Sequence, residues 1–148
     1  MSASEKSLLD LFEAAEGSIF PAANGGDLAA LLKRARRDLA ADLPGEYMAF
    51  LRQTDGAVAD GLMIYGTCVQ HIDDAEIPEL VEINLRRRAY RDDLMGYLQL
   101  GEMDDDIIAF HLDKADFCRI DRVSGDCQER MATLRQLVER LIGREPAP

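Results

Sequence analysis

Between Leu43 and Gly66 the hydrophobic pattern of the chain switches from helical to strand period, and this stretch restricts the choice of fold more than any other. Pro44, with a fixed φ and no N–H to lose, suits the first turn of a helix. Tyr47, Phe50 and Leu51 then share one helical face. Asp55-Gly56 is expected to end that helix, because glycine readily takes the left-handed conformation that closes one. Asp60-Gly61 has the composition of a two-residue hairpin turn. Apolar runs at Ala57 to Ala59, Leu62 to Tyr65 and Val69 to Ile72 predict short strands in a small meander.

The flanking segments extend this pattern in both directions. Ser2 with Glu5 reads as a capping box ahead of a first helix, with Leu8, Leu9, Phe12 and Ala15 on one face. Residues 17–26 read as a loop, after which Asp27 is expected to cap a second helix that buries Leu28, Leu31, Leu32, Ala35 and Leu39. Asp73, Asp74, Glu76 and Glu79 lead into a further helix with Pro78 in its first turn and Arg86, Arg87 and Arg88 at its end, acids before bases as the helix dipole favours. Leu94 to Leu100, Ile107 to Leu112 and Phe117 to Ile120 predict three consecutive antiparallel strands, with a short one near Cys127. Thr133 with Gln136 forms another capping box, and Leu134, Leu137, Val138 and Leu141 build a last helix stopped by Gly143 and Pro146. Helices at both ends with strands between them predict an α+β fold, helices packed on one face of a mainly antiparallel sheet of short strands. A chain of 148 residues fits a single domain, 1–148, able to bury about 70% of its unfolded surface.

Charge and motif content narrow the chemistry. With 28 acidic and 17 basic side chains the net charge is −11, which opposes any phosphate-backbone ligand, so nucleic acid is not an expected partner. No apolar run approaches the ~20 residues that span a bilayer, and Met1 to Lys6 lack the pattern of a secretory signal. A cytoplasmic protein without a membrane partner is the expectation. Cys68, Cys118 and Cys127 are odd in number and lack Cys-x-x-Cys spacing, so reduced, buried thiols are expected. His71 and His111 belong to no recognisable catalytic or metal motif, and Asp104 to Asp106 with Glu102 lack the ligand spacing of a calcium loop. No metal, cofactor or catalytic residue is expected.

The Leu-Pro opening a short aromatic-rich helix (Leu43-Pro44, Tyr47, Phe50-Leu51), the Asp55-Gly56 after it and the strand ending in Tyr65-Gly66 together resemble the SMI1/KNR4 superfamily, also called SUKH, and its YrhA-like branch. The resemblance implies a SUKH-like α+β fold. It also implies an immunity protein that neutralises a cognate polymorphic or contact-delivered toxin by stoichiometric binding, not an enzyme. The acidic clusters Asp73, Asp74, Glu76, Glu79 and Glu102, Asp104, Asp105, Asp106 are then candidate contacts with a cationic toxin such as a basic nuclease, since complementary fields accelerate capture. An alternative is a small-ligand-binding or regulatory domain of the same superfamily, with a pocket near Tyr47, Tyr65 and His71. A hydrolase is a third reading.

Overall fold

The structure is a computed structural model that describes residues 7–72 and 75–142. Helix α1 (Leu8–Ala14) starts on a capping box of its own, in which the Ser7 hydroxyl accepts from the Asp10 N–H and the Asp10 carboxylate accepts from the Ser7 N–H. The box expected at Ser2 and Glu5 lies outside the described residues. Helix α2 (Gly25–Leu39) is capped by Asn24, not by Asp27; Asn24 Oδ1 accepts from the Asp27 N–H at 2.7 Å, and Asp27 supplies negative charge in the first turn. Helix α3 (Gly45–Leu51) follows Pro44 and buries Tyr47, Phe50 and Leu51, as its period predicts. It closes at Arg52 rather than at Asp55-Gly56. Gly56, at φ +94°, instead turns the chain into the sheet, where an added Cβ would meet the Ile64 carbonyl at 3.0 Å.

Seven strands form one antiparallel sheet: β1 (Ser18–Ile19), β2 (Ala57–Ala59), β3 (Leu62–Ile64), β6 (Tyr97–Met103), β7 (Asp106–His111), β8 (Phe117–Asp121) and β9 (Cys127–Met131), in the order β1-β2-β3-β6-β7-β8-β9. The turn from β2 to β3 is Asp60-Gly61, both with positive φ, as the hairpin reading requires. Three expectations are corrected. The segment read as a loop contains β1, which pairs with β2. The run at Val69 to Ile72 does not extend the meander; β4 (Gln70–Ile72) pairs with β5 (Ala75–Ile77) in a separate hairpin. Residues expected to lead into a helix therefore form a strand, and α4 (Leu80–Arg88) starts after Pro78 with Glu79 as its cap.

Because successive strand residues point to opposite faces, Ile107 and Ile108 enter different cores. Ile108, Leu98, Leu100, Leu62, Ile64 and Phe117 join the large core, packed with α1 to α4 and with α5 (Leu134–Leu141). On the reverse face Ile107, Ala109, Cys118 and Ile120 are closed by Leu94, from a single 3-10 turn at Asp92–Leu94. The stretch read as the start of a strand at Leu94 is thus the plug of the second core.

Strand β6 has seven residues and pairs with the three of β3 only through Gly101 to Met103. Its remaining edge is completed from elsewhere: the Tyr65 N–H donates to the Leu100 carbonyl, Asn84 brackets Gln99 through both backbone groups, and Arg88 donates to the Tyr97 carbonyl. Buried peptide groups need partners, and side chains of α4 supply them where a neighbouring strand stops. Among the described residues no helix is long and apolar enough to cross a membrane.

Candidate functional site

The residues that carry the resemblance hold the fold together. The buried Tyr47 hydroxyl donates to the Tyr65 carbonyl. The Asp55 carboxylate accepts from the N–H and the hydroxyl of Thr67, at 2.7 and 2.6 Å. A Cβ on Gly66 would lie 2.5 Å from Asp55 Oδ1, so the close approach of these two segments requires a glycine. Tyr47 and Tyr65 are both 0% exposed, and burial raises the pKa of each phenol above its ordinary value. His71 lies exposed on β4. The expected pocket near Tyr47, Tyr65 and His71 is therefore not an open wall: its two tyrosines are interior packing.

The acidic residues divide sharply by environment. Asp73 and Asp74 lie outside the described residues, and Glu76 is exposed on β5. Glu79 is buried, where it pairs with Arg34 and accepts from the Glu82 N–H at 2.7 Å, so its charge is committed to α4 and α2. Glu102 accepts from the Tyr65 hydroxyl, Arg87 and Arg122 at 2.8, 3.0 and 3.0 Å. Asp106 pairs with Arg119 at 3.0 Å. The apparent cluster at 102 to 106 is thus a hairpin whose arms turn their carboxylates into ion networks. Asp104 and Asp105 alone form its exposed tip, Asp104 at φ +51°.

Beside that tip is a feature not anticipated from the sequence. A cavity of about 160 Å³ opens between α4, the loop after it and the sheet, lined by Arg87, Tyr90, Arg91, Leu94, Ile107 and Arg122. Leu94 and Ile107 are buried and floor it, whereas Tyr90 is 84% exposed and stands at its rim. Arg87 reaches Tyr65 Oη and Gln99 Oε1 at 2.7 and 2.9 Å, with its guanidinium carbon 5.8 Å from the Tyr65 ring centre. Arg91 grips Asp93 with two hydrogen bonds and donates to the Arg122 carbonyl at 2.7 Å. Arg122 Nε is buried without a hydrogen-bond partner among the described residues. Burial acts to raise the Glu102 pKa, but the Tyr65 hydrogen bond and the charges of Arg87 and Arg122 outweigh it and hold the carboxyl below its ordinary value.

Compared with protein-family models and with curated proteins, the chain matches none.

The run Arg86 to Arg88, expected as a helix-end cation cluster, is itself divided. Arg86 is exposed, Arg87 enters the cavity wall and Arg88 is buried, donating to the carbonyls of Leu39 and Tyr97. The signal that could have found the cavity is the pairing of Tyr90 and Arg91 with that run, since one turn of a solvated face needs no aromatic. Cys68 and Cys118 offer little nucleophilic character. Burial, then neighbouring Cys127, pushes Cys118 up to about 12, and Cys68, exposed against expectation, is raised by desolvation and by Asp55. Among the described residues no three His, Cys, Asp or Glu side chains form a metal-binding group.

Proposed function

We propose that the chain is an immunity protein of SMI1/KNR4 type, acting in the cytoplasm by binding a cognate toxin and covering its active surface. The observation that supports this most is the Asp104-Asp105 tip, two exposed carboxylates at the end of the two longest strands of the sheet. A hairpin whose tip exposes negative charge is suited to capturing a cationic protein, because fixed surface charge steers encounter. Tyr90 and Val123, 84% and 83% exposed, flank the same region and provide the apolar contact that holds a complex once formed. The toxin-facing surface is accordingly smaller than the sequence suggests: Glu79, Glu102 and Asp106 are committed to internal pairs, and among the described residues Glu76, Asp104 and Asp105 remain exposed.

Stopped-flow association with a candidate cationic toxin tests the reading. Asp104→Asn with Asp105→Asn should slow capture several-fold at low salt and little at high salt, whereas neutralising exposed Glu13 and Glu16 should leave it unchanged. Equal rates for tip variant and wild type at both salts would remove this surface from the interface. A small-ligand role is favoured by a separate observation, the arginine-walled cavity.

A further inference from the structure

We infer that the cavity between Arg87, Arg91 and Arg122 is a binding site for a small aromatic carboxylate, an inference that goes beyond toxin binding and does not depend on it. Its volume, about 160 Å³, suits one ring, since an engineered apolar cavity of ~150 Å³ takes benzene. The floor is aliphatic, from Leu94 and Ile107, and Tyr90 provides an aromatic side wall. An inorganic ion would leave those surfaces unused. A ring fills them.

Charge then selects the ligand's polar end. Three guanidiniums line the cavity, and two carboxylates, Glu102 and Asp93, pair with them directly. Asp121 also acts on Arg91, and the chain as a whole carries −11, so the surrounding field opposes a polyanion. A single carboxylate meets less of that repulsion than a doubly charged group does. Arg122 is the group with capacity to receive it: one of its terminal nitrogens holds Glu102, and the other makes no hydrogen bond among the described residues, whereas its Nε is buried out of reach. That remaining nitrogen offers a carboxylate one charge-assisted hydrogen bond. Arg91 is a positioning residue, because Asp93 and the Arg122 carbonyl occupy its fork. Gly125 keeps that arrangement possible, since a Cβ there would lie 2.2 Å from Asp93 Oδ2.

The experiment is an amide-resolved NMR titration of the full chain with benzoate, phenyl phosphate, acetate and inorganic phosphate. Benzoate should produce saturable shifts centred on Leu94, Ile107 and Arg122, phenyl phosphate should bind more weakly, and the two small anions should not saturate. Arg122→Gln should weaken benzoate about tenfold, the loss of one charge-assisted contact. Tyr90→Ala, at a position too exposed to disturb folding, should weaken it as well, while Arg36→Gln on α2 should not. Absence of saturable benzoate binding, wild-type affinity in Arg122→Gln or Tyr90→Ala, or inorganic phosphate bound as tightly as benzoate would each overturn the assignment.

Discussion

Asn84 occupies the place of a missing strand. Fully buried on α4, it donates through Nδ2 to the Gln99 carbonyl at 2.9 Å and accepts through Oδ1 from the Gln99 N–H at 2.8 Å, as a neighbouring peptide would. Removing a partner from a buried polar group costs more than the hydrogen bond contributes, because the group left behind cannot return to water. Asn84→Ala should therefore lower stability by ~2–3 kcal/mol, which urea denaturation would measure as a lower midpoint at unchanged slope. A change of a few tenths of a kcal/mol would show that water reaches this edge of β6. The position was unreadable from sequence: Asn84 in a run of leucines and arginines looks like an ordinary polar helical residue.

Elements that were legible are those whose instructions lie within a few residues. In α5, Thr133 accepts from the Gln136 N–H while Gln136 accepts from the Thr133 N–H, and Leu134, Leu137, Val138 and Leu141 are buried as their spacing predicts. What closes the helix start comes from α3. The two Glu46 oxygens accept from the N–H groups of Leu134 and Arg135 at 2.7 and 2.8 Å, joining elements that are 88 positions apart. A carboxylate on helix-start N–H groups also complements the dipole. Glu46→Ala should cost about 1 kcal/mol, and Glu46→Gln less, read from thermal or urea unfolding. Equal stability of Glu46→Ala and wild type would mean the Thr133 box suffices. By contrast, the hairpin of β4 and β5 could not be told from a continuing sheet, since three-residue strands carry too little alternation to show which edge they join.

For the whole molecule, acidity is organised more than its total suggests. Glu102 is held below its ordinary pKa: burial opposes this, but the Tyr65 hydroxyl, Arg87 and Arg122 outweigh it. Asp116 is lowered chiefly by its hydrogen bonds with Arg130, and Asp121 by the backbone N–H groups of Ser124 and Val123. A carboxyl whose folded pKa lies below its unfolded one contributes stability above the unfolded value, and loses it as pH falls toward the folded value. Stability should thus decline as pH drops below about 4.3, the ordinary carboxyl range. Glu102→Gln should flatten that decline. Urea midpoints measured across this range provide the check, and parallel acid limbs in Glu102→Gln and wild type would show that the network carries none of it.

The sequence alone determined the α+β class, the buried face of Tyr47, Phe50 and Leu51, the Asp60-Gly61 hairpin and the capped last helix. Each depends on period, turn chemistry or a side chain reaching three residues along the chain, and these act without knowledge of the rest. Only the tertiary structure decided which charges face outward. Glu102 and Asp104 are two residues apart, yet one is enclosed by arginines from α4 and the β8–β9 turn and the other stands in solvent. Arg88 turns inward to a carbonyl 49 positions away, and Arg87, Arg91 and Arg122 converge on one cavity. Such convergence is set by sheet order and by what each edge leaves unpaired, and strand pairing over long separations leaves no periodic trace in the residues that it brings together.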